Sequence, residues 1–92
     1  MIKSFKHKGL EKFFKRGTTQ GIQAAHKAKL RTRLAVLDSA TCVGDINMPG
    51  YGLHPLKGDR NDIWSISVSG NWRLTFKFED GDVYILNYED YH

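Results

Sequence analysis

The sequence has little cysteine, little proline and no long hydrophobic run. Cys42 is the single cysteine among 92 residues, so the chain cannot form an internal disulfide bond. Its apolar stretches fall far short of the roughly 20 residues that a membrane-spanning helix needs. The opening residues, MIKSFKHKGLEKFF, also lack the apolar segment of a secretion signal. We therefore expect a soluble, cytoplasmic protein that does not enter a membrane.

Sequence motifs for metal and nucleotide binding are also missing. Cys42 has no second cysteine with which to build a zinc site. Asp80–Asp82 begins like a calcium-binding loop, but the twelfth position of that loop is Tyr91, where a bidentate glutamate is required. The chain has neither of the common glycine-rich phosphate loops. The sequence therefore predicts a protein that works without a cofactor or a metal ion.

What the sequence does contain is enough apolar residues for one core, and an uneven distribution of charge. Hydrophobic residues make up 40% of the chain, and 92 residues suffice for one domain but not two. We expect a single domain over residues 1–92. Residues 1–46 hold ten Lys and Arg against three Asp and Glu, whereas residues 47–92 hold four against seven. The basic half is the candidate for contact with a polyanion, although such residues also commonly serve only to hydrate helix faces.

The first half of the chain has the periodicity of helices. A short opening strand is predicted at Ile2–Phe5, followed by a helix at His7–Arg16 that ends at Gly17. A second amphipathic helix, with a basic exposed surface, is predicted at Gln23–Ala40. Three glycines and a proline in Thr41–Gly52 predict a loop with one helical turn at most. The apolar faces of the two helices are formed by Leu10, Phe13, Phe14, Leu30, Leu34 and Leu37.

The second half alternates between apolar and polar residues, as strands do. In IWSISVS and WRLTFKFE, every second residue is a large apolar side chain. Gly70–Asn71 and Asp80–Gly81 supply turns, and the last strand is predicted from Val83 to about Glu89. The fold class is therefore α+β, with two N-terminal helices packed on a mainly antiparallel sheet. We expect Trp64 and Trp72 in the core, and the opposite sheet face to be polar and open.

This polar face and two histidines are the candidates for chemistry. Residues two apart on a strand point the same way, which places Arg73, Thr75 and Lys77 together. Because a polar strand face is usually only the solvated side of a sheet, this arrangement does not by itself indicate a site. His54 and His92 strengthen the case, because a cleft that holds both would also hold acidic, phenolic and cationic groups suited to chemistry at a phosphate. Their neighbours in the sequence are Lys57, Arg60, Asp90 and Tyr91.

Four motifs in order carry a resemblance to a known family. They are LHPLKGDR at residues 53–60, the WSI strand, the NWR turn into the next strand and the terminal DYH. Together with the opening residues, they resemble the HigB toxins of the RelE superfamily over nearly the whole chain, whereas residues 18–52 are hardly diagnostic. Two positions depart from the family: Ser67 stands where many relatives have arginine, and Asn87 where they have an acidic residue. The resemblance implies a microbial-ribonuclease-like fold.

The resemblance also implies the toxin of a type II toxin–antitoxin pair, an endoribonuclease that cuts messenger RNA in the ribosomal decoding site without a metal ion. In such cleavage the ribose 2′-hydroxyl attacks the adjacent phosphorus, so the enzyme must move two protons and stabilise a crowded anion. Histidine suits the proton steps, and lysine and arginine suit the anion. The implied catalytic residues are His54, Lys57, Arg73, Asp90, Tyr91 and His92. The residues expected to bind RNA are Asn71, Arg60, Lys77, Lys27 and Arg31.

Within that set, His92 is expected to act as general acid or base with Asp90 orienting it or sharing the proton transfer. His54 takes the complementary step or positions the ribose, and the roles of the two histidines are interchangeable at this stage. Lys57 and Arg73 are expected to neutralise the phosphorane. Tyr91 is expected to stack on a base or to hydrogen-bond the phosphate.

Three functions remain open from the sequence. In the first, the basic helices dock on ribosomal RNA while the sheet face cuts the messenger. In the second, the protein is a non-catalytic RNA-binding or partner-binding module whose histidines are incidental, as we expect for His7 and His26. In the third, a related toxin blocks the ribosome without cleavage. The resemblance implies the ribosome and messenger RNA as partners, and a neutralising antitoxin that commonly carries a helix-turn-helix DNA-binding domain.

Overall fold

The computed structural model describes residues 1–60 and 62–90, in which two α-helices precede a four-stranded sheet. The sheet is an antiparallel meander whose strand order, β1-β2-β3-β4, follows the chain. The helical period in the first half of the sequence and the alternation in the second half predict this order of helices and hairpins. The α+β assignment is therefore confirmed. The elements are α1 (Lys8–Arg16), α2 (Lys27–Ser39), β1 (His54–Pro55), β2 (Ile63–Ser69), β3 (Trp72–Glu79) and β4 (Asp82–Asp90).

Helix α1 begins and ends where local chemistry favours it. At its start the Leu10 N–H donates to His7 Nδ1 at 3.0 Å, which satisfies a backbone donor that the first turn leaves unpaired. At its end Gly17 adopts φ 77°, a left-handed conformation that costs glycine little. Leu10 is buried, whereas Phe14, which the helical spacing places on the same face, is 36% exposed and contacts Phe5. Phe14 lies at the edge of the apolar face of α1, beside the solvent-exposed side of the helix.

Helix α2 covers the apolar side of the sheet. A 3-10 turn at Ala24–His26 leads into it, so the predicted helical segment is one turn of 3-10 helix followed by α-helix. Another 3-10 turn at Val43–Ile46 is the single helical turn expected in the following loop. The core residues contributed by α2 are Leu30, Leu34 and Leu37, and those of the facing strands include Ile66, Leu74, Phe76 and Leu86. Trp64 and Trp72 pack against this core, as expected.

The opening segment differs from its prediction as a strand. Instead of a continuous ladder, Ile2 and Phe5 form two isolated parallel bridges, with Val83 and Leu86 of β4. Between these bridges β4 contains a bulge, because the register with β3 slips between Thr75 and Lys77. Ile85 lies in this bulge at φ 47°, a backbone conformation that cannot continue a ladder. The bulge therefore limits the pairing of the opening segment to two contact points.

The sheet face opposite the helices is polar, but it is not open at its centre. Ser65 is fully buried there and Thr75 is 2% exposed, which corrects the expectation of a solvated face. The hydroxyl of Thr75 is bound by Glu89, as described below. Within residues 1–60 and 62–90, no helix combines the length and apolar character needed to cross a bilayer.

Candidate active site on the polar sheet face

The strand register gathers several predicted residues on the polar face. His54 on β1 lies opposite Ser65, which in turn lies opposite Thr75 on β3. Two residues along β3, Arg73 lies opposite Ser67 on one side and Glu89 on the other. Cross-strand partners share a face, strands are spaced at about 4.8 Å and residues along a strand at about 3.3 Å, so His54 and Arg73 lie about 12 Å apart on the polar face. The register therefore brings both residues to one face of the sheet, on different strands.

His54 is exposed, and one of its ring nitrogens is already committed. Its Nδ1 lies 2.8 Å from the Gly52 carbonyl oxygen. A carbonyl only accepts hydrogen bonds, so Nδ1 carries a proton and Nε2 of the neutral ring has the free lone pair. Gly52 adopts φ 60°, which glycine tolerates better than other residues, and Pro55 keeps the following backbone extended. The local sequence thus presents His54 as a proton acceptor at Nε2.

The loop before His54 is held by an arginine that the sequence did not single out. The Arg33 Nε donates to the Ser67 carbonyl oxygen at 2.7 Å, and its guanidinium lies 4.3 Å from the centre of the Tyr51 ring. Tyr51 is buried, and its carbonyl accepts the Ser67 N–H at 2.6 Å. Arg33 therefore links α2 to the end of β2 and to the segment that carries His54. No local pattern reveals this contact, because its partners lie 34 residues apart.

Arg60, a predicted RNA-binding residue, is bound by a carboxylate of the protein itself. Its Nη2 lies 2.6 Å from Glu89 Oε2, and its Nη1 lies 3.2 Å from Glu89 Oε1. The hydroxyl of Thr75 also donates to Glu89. Burial raises the pKa of Glu89, but the hydrogen bonds from Arg60 and Thr75 outweigh it, so the pKa lies below its usual value. Glu89 is therefore ionised at neutral pH, at the centre of the polar face.

The end of β4 carries the last described member of the predicted catalytic set. Asp90 is exposed and lies opposite Trp72, and this register places it on the helix-facing side of the sheet. Asn71 is exposed in the turn that precedes Trp72, at the same end of the sheet. Tyr91 and His92, also predicted, lie outside the described residues. Lys57 is exposed in the loop after β1.

The predicted basic RNA contacts fall on two different sides of the molecule. Lys77 pairs with Glu79 at 3.1 Å, and this hydrogen bond and charge raise the pKa of Lys77. It lies four residues from Arg73 along β3, a distance of about 13 Å. Lys27 and Arg31 are exposed on α2, in the layer behind the sheet. These predicted RNA contacts therefore do not share one face of the molecule.

The two histidines expected to be structural are hydrogen-bonded within the fold. His7 caps α1, and burial lowers its pKa. His26 is buried, with its Nδ1 2.5 Å from the Tyr88 hydroxyl oxygen. That oxygen accepts the Gln23 N–H at 3.4 Å, so the Tyr88 hydroxyl is directed to donate to His26. Burial, and secondarily the charge of Lys29, lower the pKa of His26.

Comparison with known proteins identifies the family of the chain. The family model described as the RelE-like toxin of the type II toxin–antitoxin system HigB matches residues 3–92. The chain belongs to the HigB-like toxin family. A relative named Endoribonuclease HigB, from Proteus vulgaris, is 56% identical over 92 residues, which cover the whole of both chains. The family resemblance inferred from the four sequence motifs is thereby confirmed.

Two positions at which the resemblance implied departures from the family, Ser67 and Asn87, have defined contacts in the structure. The Asn87 side chain hydrogen-bonds Glu89, whereas an acidic residue there would place a second carboxylate beside it. At position 67, Arg33 donates from α2 to the backbone carbonyl oxygen of Ser67. Glu89 and Arg33 are the site residues that sequence reasoning missed. The strand register of β4 would have placed Glu89 on the polar face, but the bulge that sets this register is not visible in the sequence.

Proposed function

We propose that this HigB-like toxin is an endoribonuclease that cuts messenger RNA on the ribosome by attack of the ribose 2′-hydroxyl on the adjacent phosphorus. The observation that carries the proposal is the exposed His54, with Nε2 as its proton acceptor, on the same sheet face as Arg73. The name of the full-length relative, which is 56% identical, supports the same reaction class. The polar face supplies groups for both proton transfer and charge stabilisation.

In the proposed reaction, His54 Nε2 takes the proton of the 2′-hydroxyl while the bond from that oxygen to phosphorus forms. The bond from phosphorus to the 5′-oxygen of the next nucleotide breaks, and His92 returns a proton to that oxygen. Asp90 orients His92 from the exposed end of β4 rather than from the polar face. Lys57 and Arg73 offset the negative charge that collects on the phosphorane. Tyr91 stacks on a base or donates to the phosphate. The products are a 2′,3′-cyclic phosphate and a 5′-hydroxyl end.

Two partners follow from this proposal. The ribosome orients the messenger, and the exposed Lys27 and Arg31 contact ribosomal RNA from the helix layer while the polar face receives the messenger. A cognate antitoxin, which we expect to carry a DNA-binding helix-turn-helix domain, neutralises the toxin. Both partners and the site of action are cytoplasmic.

The test is to map messenger cleavage on programmed ribosomes at matched occupancy. We expect the native protein to produce cuts with 5′-hydroxyl ends, and His54→Ala and His92→Ala each to slow cleavage about 100-fold, as loss of a general acid or base does. Glu11→Gln, which disrupts only the exposed Glu11–Lys15 pair on α1, is the control and should cut at the native rate. Cleavage that persists in both histidine variants would contradict the site. Ribosome binding and arrest without cuts by the native protein would favour the non-catalytic alternative.

A further inference from the structure

The segment that follows His54 is attached to the sheet by few backbone contacts. Strand β1 comprises only two residues at the sheet edge, and the Leu56 N–H donates to the Ile63 carbonyl oxygen at 2.8 Å. Between Leu56 and Ile63 the chain leaves the sheet as a loop, and Lys57 lies in that loop. A two-residue edge strand is a weak restraint on the position of a catalytic loop.

A side-chain contact supplies the restraint that the backbone lacks. Arg60 is the last residue of the 3-10 turn Gly58–Arg60 in this loop, and it binds Glu89 of β4 through both terminal nitrogens. The two residues are 29 positions apart in the sequence. Glu89 immediately precedes Asp90, so the contact joins the segment carrying His54 and Lys57 to the end of β4.

The surroundings of the pair distinguish it from an ordinary surface ion pair. The Glu89 side chain is only 22% exposed, and it also accepts the hydroxyl of the buried Thr75. Two parallel hydrogen bonds between guanidinium and carboxylate fix an orientation as well as a distance. Beside the pair is a cleft of about 110 Å³ on the polar face. It is lined by Lys6, Arg60, Ile63, Thr75, Ile85 and Asn87.

We infer that Arg60 and Glu89 form a positioning clamp, which holds the segment bearing His54 and Lys57 in register with the catalytic end of β4. Neither residue touches the reacting atoms in this account. Arg60 is thereby reassigned from RNA binding to positioning, because its guanidinium already makes with Glu89 the two-pronged contact that a phosphate would require. The inference rests on the proposed function, since it is the cleavage geometry that the clamp preserves.

The experiment compares Glu89→Gln, Arg60→Gln and the exchanged pair Arg60→Glu with Glu89→Arg. Glu11→Gln is the matched control, because it makes the same chemical change in an ion pair that lies away from the site. In that pair Glu11 Oε2 is 2.8 Å from Lys15 Nζ. Two properties are measured at a temperature where circular dichroism shows each variant folded. They are cleavage on programmed ribosomes, as maximal rate and half-saturating toxin concentration, and amide hydrogen exchange of residues 56–60.

We expect each single variant to lower the maximal rate about tenfold or more, because small displacements of catalytic groups are costly. The half-saturating concentration should stay within about twofold of the native value, since binding is not the step affected. Amide exchange of residues 56–60 should accelerate in the single variants. The exchanged pair should recover part of the lost rate, and Glu11→Gln should match the native protein in both measurements.

Three results would overturn the clamp. If Arg60→Gln raises the half-saturating concentration at an unchanged maximal rate, while Glu89→Gln lowers that concentration, Arg60 is an RNA ligand that Glu89 masks. If amide exchange accelerates without any loss of rate, the pair has only a structural role. If exchange is unchanged in the single variants, there is no clamp, even if the native protein cuts no messenger. Absence of native cleavage by itself would instead contradict the proposed function, so the two failures are distinguishable.

Discussion

The two faces of the sheet are buried to similar extents at their centres but are held together by different forces. On the helix-facing side Ile66, Leu74 and Phe76 are fully buried among other apolar side chains. On the opposite side Ser65 and Thr75 are just as inaccessible, and Thr75 belongs to a network of hydrogen bonds and charges with Glu89 and Arg60. Apolar packing is non-directional, whereas such a network fixes particular atoms in place. We therefore expect the apolar face to contribute most of the stability, and the polar face to fix the positions of the proposed site residues.

The largest expected difference between the faces is in stability. We expect Phe76→Ala to lower the free energy of unfolding by about 3–5 kcal/mol, because it leaves a cavity in the core. That is a large part of the 5–15 kcal/mol that domains typically have. Thr75→Val, at the neighbouring position, removes one hydrogen bond from the polar face. We expect it to lower the free energy of unfolding by about 1 kcal/mol. Urea unfolding followed by circular dichroism measures both, and equal losses would abolish the distinction between the faces.

The helix-facing side should also respond to pH through His26. The pKa of this buried histidine lies below its usual value of about 6.5, chiefly because of burial, so the unfolded chain binds the proton more readily. Its contribution to stability is complete above about pH 6.5 and is lost as the pH falls through the lowered pKa. Each unit of lowering is worth about 1.4 kcal/mol.

We therefore expect the free energy of unfolding to decrease between pH 7.5 and pH 5.5, and His26→Gln to show a smaller decrease. His7 has a lowered pKa for the same reason, so some pH dependence should remain in that variant. Urea titrations at the two pH values provide the measurement. An identical decrease in the native protein and in His26→Gln would show that His26 does not sense this pH range.

The smallest expected effect concerns Ser65 and has the opposite sign. Its Oγ is buried and has no hydrogen-bond partner among residues 1–60 and 62–90, which is unfavourable for a hydroxyl. We expect Ser65→Ala to stabilise the fold by about 0.5–1 kcal/mol, since it removes this atom and leaves little empty volume. The unfolding midpoint in urea is the readout. Destabilisation instead would mean that the hydroxyl makes a favourable contact in solution.

Much of the architecture follows from patterns that lie close together in the sequence. The spacing of Leu30, Leu34 and Leu37 predicts α2, and the alternation from Trp72 to Phe78 predicts β3, because each pattern has the period of its element. The position of Gly17 predicts where α1 ends. The site was predictable in part: the motifs pointed to His54 and Arg73, which the register places on one face. The roles of Arg33 and Glu89 were not predictable, because their partners are 34 and 29 residues away.

By itself the sequence determined where the helices and the strands of the meander lie and which side of α2, β2 and β3 is apolar, since those properties depend on neighbours along the chain. The faces of β4 were decided only by the tertiary structure. At the bulge, Ile85 and Leu86 together oppose Phe76, which reverses the alternation that begins at Val83. As a result Glu89 rather than Asp90 joins Arg73 on the polar face. The physical reason is that β4, with its bulge, pairs with β3 on one side and with the opening segment on the other. Both pairing partners lie outside β4.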